Sequence, residues 1–542
     1  MGTNGEAMNV ELEINLLRRQ NLGDCLRRAA QTAQDKPAVV FYANDGASQT
    51  CSYAQLNTMV NAVSNNLVRH GLKKGDRVAV LSRNSISFLV LGYALHKIGA
   101  WLVPVNFMLQ PPDVRHVIEF AEARWLFVED ALLGNVVSVL DELDVVERFV
   151  QFNVADAPLR PGWLAFDELL AGPADEPKVY VESDDVASMF FTSGTESAPK
   201  GVLSTHANFH AAHLSYAFNL GLAQDDSFLL SIPLIHMAGY LLATLCLANA
   251  VTIVMTQLPQ PTQMIELIER HHLTATALPP TLYVAMLLSP NLLTCDLSSA
   301  SKLMTWASTI PKLMVDGWKA VAPAARFFSG QGSSESTAVM VTGGYVDSWD
   351  EMPNGDGRWV GRAMTFAADV RLIDENGKDV AVGEPGEQIL RGPVIMKGYY
   401  KNDDVNQRVF REGWFHTGDI LFRDEVGNYF FADRKKDMIK TGGENVYCQE
   451  VESVLGTHPD VMQCAVFGMP DERWGEAVTA AVVVRPGTAV TESELIEFCR
   501  GQLPGFKVPK RILFRSSLPI SAANKILKRE LKAEYANLVL GA

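Results

Sequence analysis

Positive charge is the first thing in short supply. The 47 Lys and Arg are outnumbered by 62 Asp and Glu, for a formal charge of −15. That balance argues against a protein that grips nucleic acid by its phosphate backbone, which needs a basic face. Small anionic ligands stay open, because a local positive site is enough for them. Cysteine is sparse too: Cys25, Cys51, Cys246, Cys295, Cys448, Cys464 and Cys499 include no CxxC pair and no metal-ligand spacing. A reduced cytoplasmic interior therefore fits better than a disulfide framework, and none of the seven is an obvious nucleophile. The opening "MGTNGEAMNVELEINLLRRQ" lacks the basic start and apolar core of a secretion signal. Glu6 stands where a myristoylation signal needs Ser or Thr.

One stretch runs against the soluble pattern. "MAGYLLATLCLANAVTIVM", Met237 to Met255, has 19 residues without a charge, long enough by the crude criterion for a membrane span. The interior Asn249-Ala250 and the β-branched residues after it point instead to a buried helix running into a buried strand, so no transmembrane span is expected.

At 542 residues the chain exceeds one compact core, and at least two domains are expected. Apolar runs such as "DRVAVLS" (76–82), "AWLVPVN" (100–106), "RWLFVED" (124–130) and "RFVQFN" (148–153) alternate with amphipathic stretches such as 53–70. The alternation predicts stacked α/β layers with largely parallel sheets. From Gly361 the texture changes to short strands broken by Asn-Gly and Pro-Gly turns, which reads as a β-rich subdomain. A charged stretch with Gly442-Gly443 then precedes a last block whose pattern suits a small α+β domain. The fold expected is α/β: a large N-terminal domain, 1–434, of stacked α/β layers plus a β-rich subdomain, and a small mobile C-terminal α+β domain, 435–542.

The chemistry-bearing residues come in five groups. "FFTSGTESAPKGVLSTH" (190–206) follows an apolar strand with small hydroxyl residues and one lysine. It does not meet the Walker A spacing. Backbone N–H groups and the hydroxyls of Thr192, Ser193 and Thr195 could nevertheless cradle phosphate oxygens, with Lys200 adding charge. The others are "FSGQGSSES" (328–336), "WFHTGD" (414–419), "DRKKDMIKTGGE" (433–444) and "PISAANKILKR" (519–529).

Taken in order, these segments resemble the acyl-adenylate-forming superfamily, the AMP-binding ligases that include fatty-acyl-CoA synthetases and other acid–CoA ligases. The similarity covers nearly the whole chain, from Ser52 to Lys525. The resemblance implies that Thr192, Ser193, Gly194, Thr195 and Lys200 belong to the phosphate loop. It implies that His236 in "PLIHMAG" lies beside the acyl pocket, that Glu335 helps hold Mg²⁺, and that Ser334 meets the α-phosphate. Asp419 would grip the ribose hydroxyls, Arg434 would also meet the nucleotide, and Asp437 would be the hinge. Lys525 would swing in with the small domain for adenylation. Glycines 442 and 443, tolerant of unusual dihedrals, suit that rearrangement.

At four places the chain departs from the family pattern. Glu196-Ser197 replaces Thr-Gly, Gln331 stands where an aromatic residue commonly stacks on adenine, Trp306 replaces a small glycine, and Asn524 precedes Lys525 where Gly is typical. The expected activity is an ATP-dependent carboxylic acid–CoA ligase taking a fatty or otherwise hydrophobic acid, with ATP, Mg²⁺ and CoA as its small molecules. Transfer of the acyl group to an amine or a carrier-protein thiol, and a non-catalytic nucleotide-binding homologue, are the alternatives. A homodimer is compatible with the sequence, which has no heptad repeat.

Overall fold

Capped amphipathic helices alternate with buried strands through the first three quarters of the chain. Ser52 opens the helix Tyr53–Arg69 through a reciprocal cap with Gln55, and Thr205 opens His206–Leu220 in the same way with Asn208. Strand residues 78–81 are buried, as expected for a strand covered on both faces. The computed structural model describes residues 3–155, 157–192, 200–306, 309–485, 487–520 and 526–540.

The strands form two large sheets. An eight-stranded sheet runs Gly398–Tyr399, Lys200–Thr205, Val186–Thr192, Trp101–Pro104, Arg77–Leu81, Ala123–Glu129, Arg148–Phe152, Leu164–Ala165 in space. Its centre is parallel, and the edge formed by Val186–Thr192, Lys200–Thr205 and Gly398–Tyr399 is antiparallel. A nine-stranded sheet has Arg326–Gly332 and Met340–Val346 toward one edge and Pro37–Tyr42 and Ser48–Ser52 at the other. Side chains of both sheets and of the helices Tyr53–Arg69, Ile86–Ile98 and Met237–Ala248 share one apolar core. The stacked α/β layers predicted from the alternation are thus present.

The uncharged run resolves as the helix Met237–Ala248 and the strand Thr252–Thr256, the helix-into-strand reading of that segment. Among the described residues no helix is long and apolar enough to cross a membrane. All seven cysteines are free.

Beyond residue 361 a five-stranded sheet joins Asp369–Ile373, Gly386–Arg391, Trp414–Arg423, Phe410–Arg411 and Tyr429–Arg434, all antiparallel. Residues 435–438 then lead to Ile439–Thr441, the first strand of a separate sheet with Glu444–Val446, Val461–Asp471, Gly475–Val484 and Arg511–Phe514. Helices Cys448–Gly456 and Glu492–Arg500 cover one face of that sheet, and Lys528–Leu540 the other. Gly442 and Gly443 are the two central residues of the hairpin between Ile439–Thr441 and Glu444–Val446, both left-handed at φ +59° and +86°. This is the tight turn that a two-residue hairpin demands.

Candidate active site

Lys200 and Tyr399 meet at the antiparallel edge of the eight-stranded sheet. Thr192 and Lys200 face each other at the mouth of a hairpin. Ser193, Gly194 and Thr195, together with Glu196 and Ser197, lie outside the described residues. Tyr399 pairs with Val202 on the neighbouring strand, which sets the Lys200 ammonium 5.2 Å from the centre of the Tyr399 ring. A cation over an aromatic face is held there by the ring quadrupole.

Glu335 arrives from the other large sheet. The strand Arg326–Gly332 ends at a glycine whose Cβ, if present, would lie 2.1 Å from the Val339 carbonyl oxygen, so no larger residue fits. Ser333 opens a single turn, Ser334–Ser336, and donates its N–H to Ser336 Oγ at 3.0 Å. Thr337 and Ala338 follow, both left-handed at φ +54°, a costly conformation for residues that carry a Cβ. A hydrogen bond from Thr337 Oγ1 to the Val394 carbonyl, 2.8 Å, helps hold that reversal. Glu335 is thereby pinned twice: its carbonyl accepts from Met396 N, and its Oε1 accepts from the Tyr399 hydroxyl, each at 2.8 Å. Burial, reinforced by the Glu335 charge, pushes the Tyr399 phenol far above its ordinary range, so it stays a donor. Ser334 shares the turn and is half-buried.

Four residues before Glu335 on the same strand end, Gln331 points at a second carboxylate. Gln331 Nε2 donates to Asp419 Oδ2 at 2.7 Å, and Arg434 Nε lies 3.7 Å from Asp419 Oδ1. Asp419 and Arg434 face each other across the strands Trp414–Arg423 and Tyr429–Arg434. Gly418 turns left-handed at φ +72° immediately before Asp419. Gln331 therefore holds the Asp419 carboxylate, and its Oε1 is a buried acceptor without a hydrogen-bond partner among the described residues.

His236 stands at the N-cap of Met237–Ala248, its N–H donating to the Pro233 carbonyl at 3.0 Å. A buried asparagine braces that loop. Asn84 accepts from Leu234 N at 2.7 Å and donates to the Ile232 and Thr256 carbonyls at 3.1 and 3.0 Å. Trp306 is half-buried against the main apolar core. Asn84 and Tyr399 both escaped sequence reasoning. Tyr399 had a local signal in the Gly-Tyr-Tyr that ends at Tyr400, whereas Asn84 had none beyond lying at a strand end.

The junction with the small domain is also charged. Asp433 Oδ2 accepts from Cys448 N at 2.6 Å, and Cys448 Sγ donates to the Asp437 carbonyl at 3.2 Å. Burial pushes the Asp433 carboxyl up, with Lys528 pulling against it. Lys528 Nζ lies 2.8 Å from Glu452 Oε1, and Thr309 Oγ1 donates to Gln449 Oε1 at 2.7 Å across the two domains. Lys525 and Asn524 lie outside the described residues.

The chain as a whole has known relatives. The AMP-binding enzyme family matches residues 26–400, and the AMP-binding enzyme C-terminal domain matches residues 450–525. The chain is 32% identical over 522 residues to a feruloyl-CoA synthase of an Amycolatopsis species, covering 96% of this chain and 100% of that one. It is 30% identical over 520 residues to a long-chain-fatty-acid–CoA ligase of Mycobacterium tuberculosis, covering 96% and 99%. Among solved structures it is similar to an amide bond synthetase of Marinactinospora thermotolerans, with a TM-score of 0.83, 27% identity, and 95% and 99% of the two chains covered.

Proposed function

The chain belongs to the AMP-binding enzyme family and is an AMP-forming acid–CoA ligase; from that premise we propose how its residues divide the work and which acids it takes. In the first step a carboxylate oxygen of the acid attacks the α-phosphorus of ATP, forming an acyl–O–P bond while pyrophosphate leaves. In the second, the CoA thiolate attacks the acyl carbonyl, and AMP departs with the C–O bond electrons.

The first step concentrates negative charge, so its catalysis rests on positioning and neutralisation. Lys200 at the hairpin mouth meets phosphate oxygens, with Thr192, Ser193, Gly194 and Thr195 lending N–H groups and hydroxyls. Asp419 accepts from the ribose diol, with Gln331 and Arg434 holding its two oxygens in place. Ser334 donates to the α-phosphate. Glu335 offers a half-buried carboxylate steadied by Tyr399, beside the Ser334 hydroxyl. This hard oxygen set suits Mg²⁺, which takes one or two carboxylates and leaves its other positions to phosphate and water. Bound there, Mg²⁺ would neutralise charge on the phosphates.

The acid is fatty or otherwise hydrophobic, and lies beside His236 and Trp306. The small domain, 435–542, pivots near Asp437, bringing Lys525 to the first step and withdrawing it for the second. The cytoplasm is the compartment and a homodimer the assembly to test by light scattering. The observation that carries the reading is the closeness along one strand end of Gln331, bonded to Asp419, and Glu335, bonded to Tyr399 beside Lys200. An amide-forming activity is the second reading, favoured by the likeness to the amide bond synthetase. Mass spectrometry of the protein with ATP, Mg²⁺, CoA and a panel of fatty, aryl and polycyclic acids tests both. An acyl-CoA bears out the proposal, acyl-adenylate converted only when an amine is supplied favours the second reading, and no ATP consumption with any acid refutes both.

A further inference from the structure

On the side of the large domain formed by the helices Leu22–Thr32 and His206–Leu220, three potential ligands converge. Cys25, His210 and His213 each offer one donor atom, and these atoms all lie within 4.8 Å of one another. None of the three takes part in the chemistry assigned above. His210 and His213 share a face of His206–Leu220, and Cys25 reaches them from the other helix.

The hydrogen bonds dictate which ring nitrogens carry lone pairs. His210 Nε2 lies 2.8 Å from the Gln20 carbonyl, which only accepts, so Nε2 carries the proton and Nδ1 the lone pair. That Nδ1 faces Cys25 Sγ at 3.7 Å. His213 Nε2 lies 3.0 Å from Thr244 Oγ1, whose own proton is given to the Leu241 carbonyl at 2.9 Å. His213 Nε2 is therefore a donor as well, and its Nδ1 is a buried lone pair with no hydrogen-bond partner among the described residues. A buried acceptor left unpaired is costly, and a thiol satisfied by His210 alone does not explain it. The third imidazole of this helix, His206, accepts from Leu22 N through its Nδ1 at 3.4 Å and so offers no lone pair there.

We propose that Cys25, His210 and His213 bind a single Zn²⁺ ion. Two neutral imidazoles and a thiolate form a three-ligand set that leaves a fourth position for water, and Cys25 and His210 are partly exposed to supply it. With Zn–S and Zn–N bonds of about 2.3 and 2.0–2.1 Å, a tetrahedral edge between S and N is about 3.6 Å, close to the 3.7 Å between Cys25 Sγ and His210 Nδ1, and the separations to His213 lie within 4.8 Å. The outer nitrogen of each imidazole is already held by a carbonyl or hydroxyl, the arrangement that orients metal-binding histidines. On binding, the Cys25 S–H bond breaks, sulfur keeps the electron pair to form the S–Zn bond, and one proton leaves to solvent. The ion would cross-link the two helices. The second begins directly after the strand Lys200–Thr205, which leads away from the phosphate loop.

The test is titration of the full chain with Zn²⁺ against a chromophoric chelator, and with Cd²⁺ followed by its sulfur charge-transfer band. One equivalent should bind with the band present, and melting should rise with Zn²⁺ as for any ligand of the folded state. Cys25→Ser should abolish the band and weaken Zn²⁺ at least about tenfold, and Thr244→Val, which frees the His213 tautomer but spares all three ligands, should weaken it about ten- to hundredfold. Cys295→Ser, at a partly exposed free thiol elsewhere, should change nothing. Absence of a stoichiometric site in the wild-type protein, or wild-type affinity in Cys25→Ser, would overturn the proposal. If Cys25→Ser does not fold, His210→Gln at the partly exposed ligand gives the same decision.

Discussion

Tyr399→Phe isolates a single hydroxyl. The ring stays, so the packing of Tyr399 and the Lys200 ammonium 5.2 Å from its centre are retained, and only the 2.8 Å hydrogen bond to Glu335 Oε1 is removed. Hydrogen bonds to charged groups contribute about 1.5–3 kcal/mol, and at 1.4 kcal/mol per tenfold this corresponds to roughly a ten- to hundredfold change. If Glu335 must be fixed to hold Mg²⁺·ATP, the loss should appear in kcat/KM for pyrophosphate release, with the Mg²⁺ dependence moved to higher concentration. Thioester formation from supplied acyl-adenylate, which needs no Mg²⁺·ATP, should change little. Because the phenol is pushed far above its ordinary range, the hydroxyl stays a donor throughout the assay range, and the ratio of wild type to variant should be flat between about pH 6 and 9. A variant within twofold of wild type, with an unmoved Mg²⁺ curve, would show that Tyr399 does not position Glu335 for Mg²⁺·ATP.

Lys525→Ala should abolish acyl-adenylate formation and spare thioester formation from supplied acyl-adenylate, measured as separate half-reactions; equal loss of both would contradict the domain exchange. Trp306→Gly should broaden the acids accepted toward longer chains or larger rings, since replacing an indole with hydrogen opens space in a packed pocket, and an identical acid profile would end that idea. Lys528→Met removes the partner of Glu452 at a site 18% exposed. Breaking such a pair costs about 3–5 kcal/mol when fully buried, so about 2–4 is expected here, read by hydrogen exchange in Val461–Asp471. Burial alone would lower the Lys528 ammonium, but the Glu452 and Asp433 carboxyl groups beside it more than offset this and raise it above its unfolded value of 10.5. Its contribution is therefore fully present below pH 10.5 and lost as pH rises beyond it, and the gap between wild type and variant should close only in that alkaline range.

Much of this protein is written locally. Strand and helix periods need only neighbouring residues, so the layered α/β architecture, the β-rich segment after Gly361 and the break at Asn249-Ala250 could be read directly. The order of motifs along the chain names Lys200, Glu335, Asp419, Arg434 and Lys525 as candidates, the last of them outside the described residues. What pairs with them was not legible, because hydrogen bonds between residues far apart in sequence depend on how sheets stack. Glu335 meets Tyr399 across 64 positions and Asp419 meets Gln331 across 88. At the glycine pair 442 and 443 residue type revealed the left-handed backbone, but only strand pairing revealed that it makes a hairpin. Cysteine spacing carried no metal signal, since Cys25 and His210 lie 185 residues apart. Local sequence decides which elements form and which chemistry they carry. Packing decides which side chains share a low-dielectric space, and there the cost of leaving a polar group unpaired settles what each one touches.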